Sequence, residues 1–226
     1  MHSFYAKNWT SLRDLSKDMD VNRLPCFHAV NMLPHISRDR EIAATVKYFY
    51  NRFKNRKQKG SGEPREKNHY VATQGGPGTG KSYFLWNLAV LSPNDLKFSK
   101  EDVKHYPNVG EFIQQWIPIP ISFNQTTTFC KEKYYDSDVI LGFALRLLYS
   151  FLFANPEIDP VQFELFTTLA NPTFQHIGLD RICTEVLKFI RKTAAQSNPH
   201  RQRPLLLIDE IMTLPPATSY FMRLVD

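Results

Sequence analysis

The sequence predicts an α/β fold built on a mainly parallel, doubly wound sheet. β-prone runs at 69–74, 116–123 and 205–208 alternate with helical segments, and this alternation is typical of parallel sheets with helices on both faces. The chain has 226 residues, of which 42% are hydrophobic and 22% charged, as in ordinary globular domains. No apolar run reaches the roughly 18 residues of a membrane span. The segment 1–7 lacks the apolar region of a signal peptide.

The first element that the sequence predicts with a clear period is a helix over about 38–57. Asp39 and Glu41 fall in its first turn, where acids are favoured, and Ser37 is the expected N-cap. Apolar residues recur on one face at spacings of four, three and four: Ile42, Val46, Phe49 and Phe53. We therefore expect 1–60 to form a helical N-terminal extension, 61–68 a basic linker, and 69–226 the main domain.

Positive charge is concentrated between Arg52 and Lys67. The net charge of the chain is +6, and this segment alone contributes +5 from seven basic residues and two acids. A smaller basic run comprises Arg191, Lys192, Arg201 and Arg203. Such patches can bind nucleic acid or direct nuclear import; the alternative is a linker kept solvated by its charge.

Cysteine usage points to a reducing compartment. The three cysteines, Cys26, Cys130 and Cys183, are odd in number and far apart, which argues against a disulfide framework. Cys26 and His28 lack the partners of a zinc site, and a small buried thiol is the preferred interpretation of Cys26. We therefore expect an intracellular protein, cytoplasmic or nuclear.

The elements of the main domain follow in order from 69. A strand at 69–74 leads into a glycine-rich loop and then a helix at 83–91. A second strand spans 116–123, and Pro118 and Pro120 predict an edge or bulged position for it. Helices over about 138–153 and 179–195 follow, with a less regular stretch between them. The apolar run 205–208 predicts a strand buried on both faces.

The glycine-rich loop matches the pattern G-x-x-x-x-G-K-[ST] in full. Its glycines let the backbone curl around a phosphate, and the following helix offers free N–H groups and the positive end of its dipole. Lys81 would bridge the β- and γ-phosphates, and the Ser82 hydroxyl would bind Mg²⁺. The predicted nucleotide-binding residues are Gly75, Gly76, Pro77, Gly78, Thr79, Gly80, Lys81, Ser82 and Tyr83.

A pair of acids follows the last apolar strand. Asp209 would hold Mg²⁺ together with Ser82, and Glu210 would orient and deprotonate the attacking water. Ligands of open α/β sheets bind at the carboxyl ends of the strands, so both motifs are expected to meet in one crevice. The alternative is an acidic pair that merely ends a strand at the surface.

With an acid directly after the expected Mg²⁺ aspartate, the chain resembles the P-loop ATPases that have an additional catalytic glutamate. This class includes the AAA+ and STAND ATPases. The chain lacks an Asn-Lys-x-Asp sequence for reading guanine, so ATP is expected rather than GTP. The resemblance implies that Asn124, after the second strand, contacts the catalytic glutamate; the alternative is a turn-forming residue.

A more particular resemblance rests on three segments, which are 73–82, 121–124 and 206–210. Together they resemble the ATPase domains of Crinkler-type effectors and retrotransposon hot spot proteins, over about residues 69–212. The chain has no Crinkler-like targeting motif at its N-terminus. In the additional-glutamate class a later strand carries a polar sensor, and nothing after Ile211 matches it. We therefore expect a truncated gene product or fragment whose sheet is incomplete at the C-terminus.

These observations lead to one expected function and two alternatives. The first is binding and Mg²⁺-dependent hydrolysis of ATP, with Lys81, Glu210 and Asn124 as catalytic residues. The alternatives are a non-catalytic ATP-dependent switch or scaffold, and an ATPase that binds nucleic acid through 52–67. An oligomer is compatible with each, and a membrane partner is not expected.

Overall fold

A computed structural model describes residues 38–59, 79–123, 133, 136, 138–153, 160–175 and 177–209. Seven α-helices and two strands lie in these ranges. In chain order they are α1 (Asp39–Lys59), α2 (Lys81–Ala89), α3 (Lys100–His105), α4 (Val109–Gln114), β1 (Trp116–Ser122), α5 (Val139–Phe153), α6 (Pro160–Gln175), α7 (Leu179–Ser197) and β2 (Arg203–Asp209). A short 3-10 helix, Pro93–Asp95, lies between α2 and α3.

The two strands pair in parallel over their whole length. Their register runs without a bulge from Trp116 opposite Arg203 to Ser122 opposite Asp209. Backbone groups of odd-numbered β1 residues face β2, because the Phe123 N–H donates to the Asp209 carbonyl at 3.2 Å. The prolines of β1 occupy even positions, so their missing N–H groups lie on the other side of the strand. Among the described residues that side has no partner strand, as expected of an edge position.

Helices cover both faces of this sheet. On one face, α5 packs against β1 and α7 against β2, and on the other α2 contacts both strands. The first face is held by an apolar cluster that includes Ile117, Ile119, Ile121, Phe123, Phe143, Leu147, Leu148, Phe166, Ile182, Val186 and Ile190. The second is held by a cluster of Ile42, Val46, Tyr50, Tyr83, Phe84, Leu88, Ala89, Phe112, Ile113, Trp116 and Leu207. The protein is therefore a mixed α/β structure with a parallel sheet between two helical layers.

Strand β2 illustrates how the two layers are separated. Leu206 and Ile208 pack against the first cluster, whereas Leu205 and Leu207 belong to the second. Side chains of a strand alternate between faces, so each face receives two of the four apolar residues. Leu207 is buried, and the other three are half-buried, so the burial predicted for both faces is only partly reached.

Most of the predicted helices are present, with ends within two residues of the prediction. The N-terminal helix is α1, and its apolar face enters the second cluster beside α2 and β2. The predicted helices at 138–153 and 179–195 are α5 and α7. The prediction of a less regular stretch between these two helices was wrong in part, because helix α6 occupies residues 160–175. Its buried face, Phe163, Phe166, Ala170 and Phe174, outweighs the helix-breaking tendency of Pro172.

Several predictions lie outside the described residues. These are the strand at 69–74, the linker at 61–68, loop residues 75–78, Asn124, Glu210, Cys26, His28, Cys130 and everything after 210. Five of the seven basic residues of the segment 52–67 lie on α1: Arg52, Lys54, Arg56, Lys57 and Lys59. No helix within the described ranges has the length and apolar character needed to cross a bilayer.

Candidate functional site

The candidate site lies where α2 begins and β2 ends. Gly80 immediately precedes α2 with φ 76° and ψ 30°, a left-handed conformation that favours glycine. Its carbonyl accepts the first helical hydrogen bond, from the Phe84 N–H at 2.9 Å. The backbone N–H groups of the first turn have no partner within an α-helix. The last glycine of the motif thus has a backbone conformation that other residue types rarely adopt.

Two predicted metal ligands meet at this point. The Ser82 hydroxyl donates a hydrogen bond of 2.5 Å to the Asp209 carboxylate, although the residues are 127 positions apart. Asp209 is 9% exposed, while Ser82 is at the exposed start of α2. One oxygen of the Asp209 carboxylate therefore contacts the exposed first turn of α2.

The position of Asp209 is fixed by the sheet. It is the last residue of β2, it lies opposite Ser122 in the register, and its carbonyl accepts the bond from Phe123. Because α2 contacts both strands, the start of α2 is held at the carboxyl edge of the sheet. In open α/β folds, ligands bind at the carboxyl ends of the parallel strands.

The oxygen donors present suit a magnesium ion. Magnesium prefers hard oxygen ligands and is usually held by one or two carboxylates together with phosphate oxygens. A hydroxyl and a carboxylate that already contact each other need little rearrangement to share one ion. Ser122, 7% exposed, is a second hydroxyl beside Asp209 on the same face of the sheet. Sequence reasoning missed it, because its relevance depends on the strand register.

Other predicted site residues are placed as follows. Lys81 is the first residue of α2 and is half-buried, and Tyr83 is buried in the second cluster with its ring stacked on Trp86 at 5.9 Å. The Tyr83 ring therefore packs in the protein interior, and the backbone of Tyr83 is the part of this residue suited to contact a ligand. Gly75, Gly76, Pro77 and Gly78 lie outside the described residues, as do Asn124 and Glu210.

Two arginines near this edge were not predicted as site residues. Arg38 Nη2 donates to the carbonyl of Thr79, in the loop itself. Arg146 is 1% exposed and forms a two-pronged ion pair with Asp136, which is fully buried. Its guanidinium also lies 5.5 Å from the centroid of the Phe123 ring, directly after β1. No short-range sequence pattern predicts either contact, because each joins separate elements.

One residue of the second basic run, Arg203, is engaged in contacts within the protein. The Arg203 guanidinium lies 3.6 Å from the centroid of the Phe53 ring, and its Nε donates to Gln115 Oε1 at 2.6 Å. Arg203 thereby connects the start of β2 to α1 and to the residue preceding β1. Arg191 and Lys192 are exposed on α7.

Comparisons with known proteins give no relative for this chain. A scan of protein-family models, a search of curated proteins and a search of solved structures each found no match.

Proposed function

We propose that the protein binds ATP with Mg²⁺ and hydrolyses it at the carboxyl edge of the sheet, where α2 begins and β2 ends. The observation that carries this proposal is the 2.5 Å hydrogen bond between Ser82 and Asp209. These residues come from two motifs far apart in the chain, and each motif predicts the same ion. A chance glycine-rich turn and a chance acidic strand end would have no reason to meet.

Different groups of the chain would bind the phosphates and the magnesium ion. Backbone N–H groups at the start of α2, with the positive end of the helix dipole, would hold the phosphates. Lys81 would place its ammonium against the β- and γ-phosphates. Ser82 and Asp209 would hold Mg²⁺, which, when bound, neutralises part of the charge that develops on the phosphate oxygens.

Hydrolysis needs a group that activates water. Glu210 follows Asp209, the last residue of β2, directly in the chain. As a general base it would take a proton from water as the oxygen attacks the γ-phosphorus in line with the leaving ADP oxygen. Most of the rate enhancement would come from positioning and from stabilising negative charge.

Replacing Glu210 by Gln separates an ATPase from a switch. We expect Glu210→Gln to lower the turnover of Mg-ATP by about 100-fold or more, a typical effect of losing a general base, while ATP affinity is retained. Turnover is measured by phosphate release, and affinity by titration with a fluorescent ATP analogue. Glu111→Gln, at an exposed position on α4, is the matched control and should leave both unchanged.

The outcomes assign the function. If the wild-type chain binds Mg-ATP but Glu210→Gln changes nothing, the protein is a nucleotide-dependent switch rather than an ATPase. If the wild-type chain does not bind Mg-ATP at all, the proposal is wrong. A nucleic-acid-stimulated ATPase would in addition bind nucleic acid with an affinity that falls steeply with salt.

A further inference from the structure

Arg38 reaches the phosphate-binding loop from the residue that precedes α1. Its Nη2 donates to the Thr79 carbonyl, across 41 positions of sequence. A Cβ placed on Gly80 would lie 3.3 Å from the same nitrogen. The guanidinium therefore lies against the two residues that lead into Lys81, where the loop becomes helix α2.

The backbone of Arg38 is held independently of this contact. Its carbonyl accepts the Ile42 N–H at 2.9 Å, the first hydrogen bond of α1. Asp39 accepts a hydrogen bond from Lys97 at 2.7 Å, and Lys47 pairs with Asp102 at 2.6 Å. These contacts fix α1 to the segment after α2, so the Arg38 side chain extends from an anchored helix.

Holding the Thr79 carbonyl also orients the next amide. The peptide between Thr79 and Gly80 is planar and trans, so its N–H points opposite to its C=O. If Arg38 holds the oxygen on one side, the Gly80 N–H is directed to the other side, away from the guanidinium. A loop that binds phosphate works by aiming such N–H groups at one point.

We propose that Arg38 is a positioning residue for phosphate binding, which acts through the Thr79 carbonyl and couples the start of α1 to the nucleotide. This inference rests on the proposed ATP binding and adds a regulatory link to it. Because coupling is reciprocal, ATP binding must stabilise the Arg38–Thr79 contact by the same free energy that this contact contributes to ATP affinity. Part of that stabilisation reaches the first turn of α1, because the Arg38 carbonyl accepts the Ile42 N–H.

The test compares two arginines of the same region. Arg38→Gln removes the contact, and Arg40→Gln removes an equal charge from an exposed position two residues later. We expect Arg38→Gln to weaken Mg-ATP binding about tenfold, as for loss of one hydrogen bond to a charged group, and Arg40→Gln to change it less than about twofold. Arg38→Lys, which keeps a charged donor, should restore part of the affinity. The affinities of the wild type and of all three variants are measured with a fluorescent ATP analogue on the full chain.

A second readout is hydrogen exchange at the Ile42 amide, compared between the wild type and Arg38→Gln. In the wild-type chain, Mg-ATP should slow hydrogen exchange of the Ile42 amide, and this slowing should disappear in Arg38→Gln. A purely structural role of Arg38 would lower stability without linking Ile42 exchange to ATP. The inference is overturned if ATP leaves Ile42 exchange unchanged in the wild type, or if Arg38→Gln binds ATP as tightly as Arg40→Gln. In those cases wild-type binding still stands, whereas absence of wild-type binding would overturn the proposed function as well.

Discussion

The Arg146–Asp136 pair shows how a single residue can organise the region behind the candidate site. Both side chains are buried. Arg146 Nη1 donates to Asp136 Oδ1 and, at 3.0 Å, to the Gly142 carbonyl, and Nη2 donates to Asp136 Oδ2 at 2.8 Å. The guanidinium carbon lies 5.5 Å from the centroid of the Phe123 ring and 5.2 Å from the centroid of the Phe163 ring. The Phe123 N–H also donates to the Asp209 carbonyl, so Phe123 contacts both this buried ion pair and the strand end that carries the proposed metal ligand.

Removing one partner of this pair should be costly, because a buried charge would then lack its counter-ion. We expect Asp136→Ala to lower the free energy of unfolding by about 3–5 kcal/mol, as measured by urea denaturation. Glu164→Ala is the matched control, since Glu164 pairs with Lys133 at 3.0 Å where both side chains are about half exposed. Its cost should stay below about 1 kcal/mol. Equal costs for the two variants would show that burial of the Asp136 pair is not maintained in solution.

Cys183 gives the opposite example, a reactive residue type without a reactive environment. Burial, and then the negative charge of Asp138, raise the pKa of the Cys183 thiol to about 12. Its S–H points to the Ile140 carbonyl at 3.9 Å. The thiol therefore stays protonated at neutral pH and is excluded as a nucleophile. It serves as a small apolar side chain in the first cluster.

Among the elements, β1 carries the largest share of the buried core for its length. Ile119 and Ile121 are fully buried between α5 and β2. We expect Ile119→Ala to lower the free energy of unfolding by about 2–5 kcal/mol, because the surrounding side chains cannot fill the cavity. Val103→Ala is a suitable comparison, since Val103 is 55% exposed on α3, and it should change stability by less than about 0.5 kcal/mol. Urea denaturation that gives similar losses for both would argue against the described core.

Helices with a regular apolar period could be predicted from sequence, and elements stabilised by tertiary contacts could not. The apolar period of α1 and the apolar face of α7 can be recognised in the sequence, because one side of each helix faces solvent and carries polar residues. Helix α6 was missed because Pro172 and several threonines lower its intrinsic helix propensity, and its four buried residues compensate only in the packed structure. The short helix α3 does carry a local signal, a capping box formed by Ser99 and Asp102.

The candidate site divides in the same way. Lys81, Ser82 and Asp209 could be named from motifs because phosphate and magnesium chemistry fixes residue types at short spacings. Arg38, Ser122 and Arg146 could not, since their relevance arises from contacts 41 residues away, from strand register and from a buried ion pair respectively. Single-sequence patterns carry no information on such contacts.

At the scale of the whole molecule, the sheet joins two separately packed layers. The layer of α5, α6 and α7 forms one cluster, and the layer of α1, α2 and α4 forms the other. Among the described residues of the candidate site, Lys81 and Ser82 come from α2 in the second layer, whereas Asp209 comes from the sheet. Nucleotide binding would therefore link the second layer to the sheet edge, with Ser82 and Asp209 at the junction.

A double-mutant cycle of Ser82 and Asp209 tests this account most directly. The affinity of the wild-type chain for a fluorescent ATP analogue is measured with and without Mg²⁺, and again for Ser82→Ala, Asp209→Asn and the double variant. If both side chains hold one ion, each single variant loses at least about tenfold in Mg²⁺-dependent affinity, and the double variant loses much less than the product of the two losses. Binding that does not depend on Mg²⁺ in the wild type, or single variants that bind as tightly as the wild type, would contradict a shared magnesium and nucleotide site.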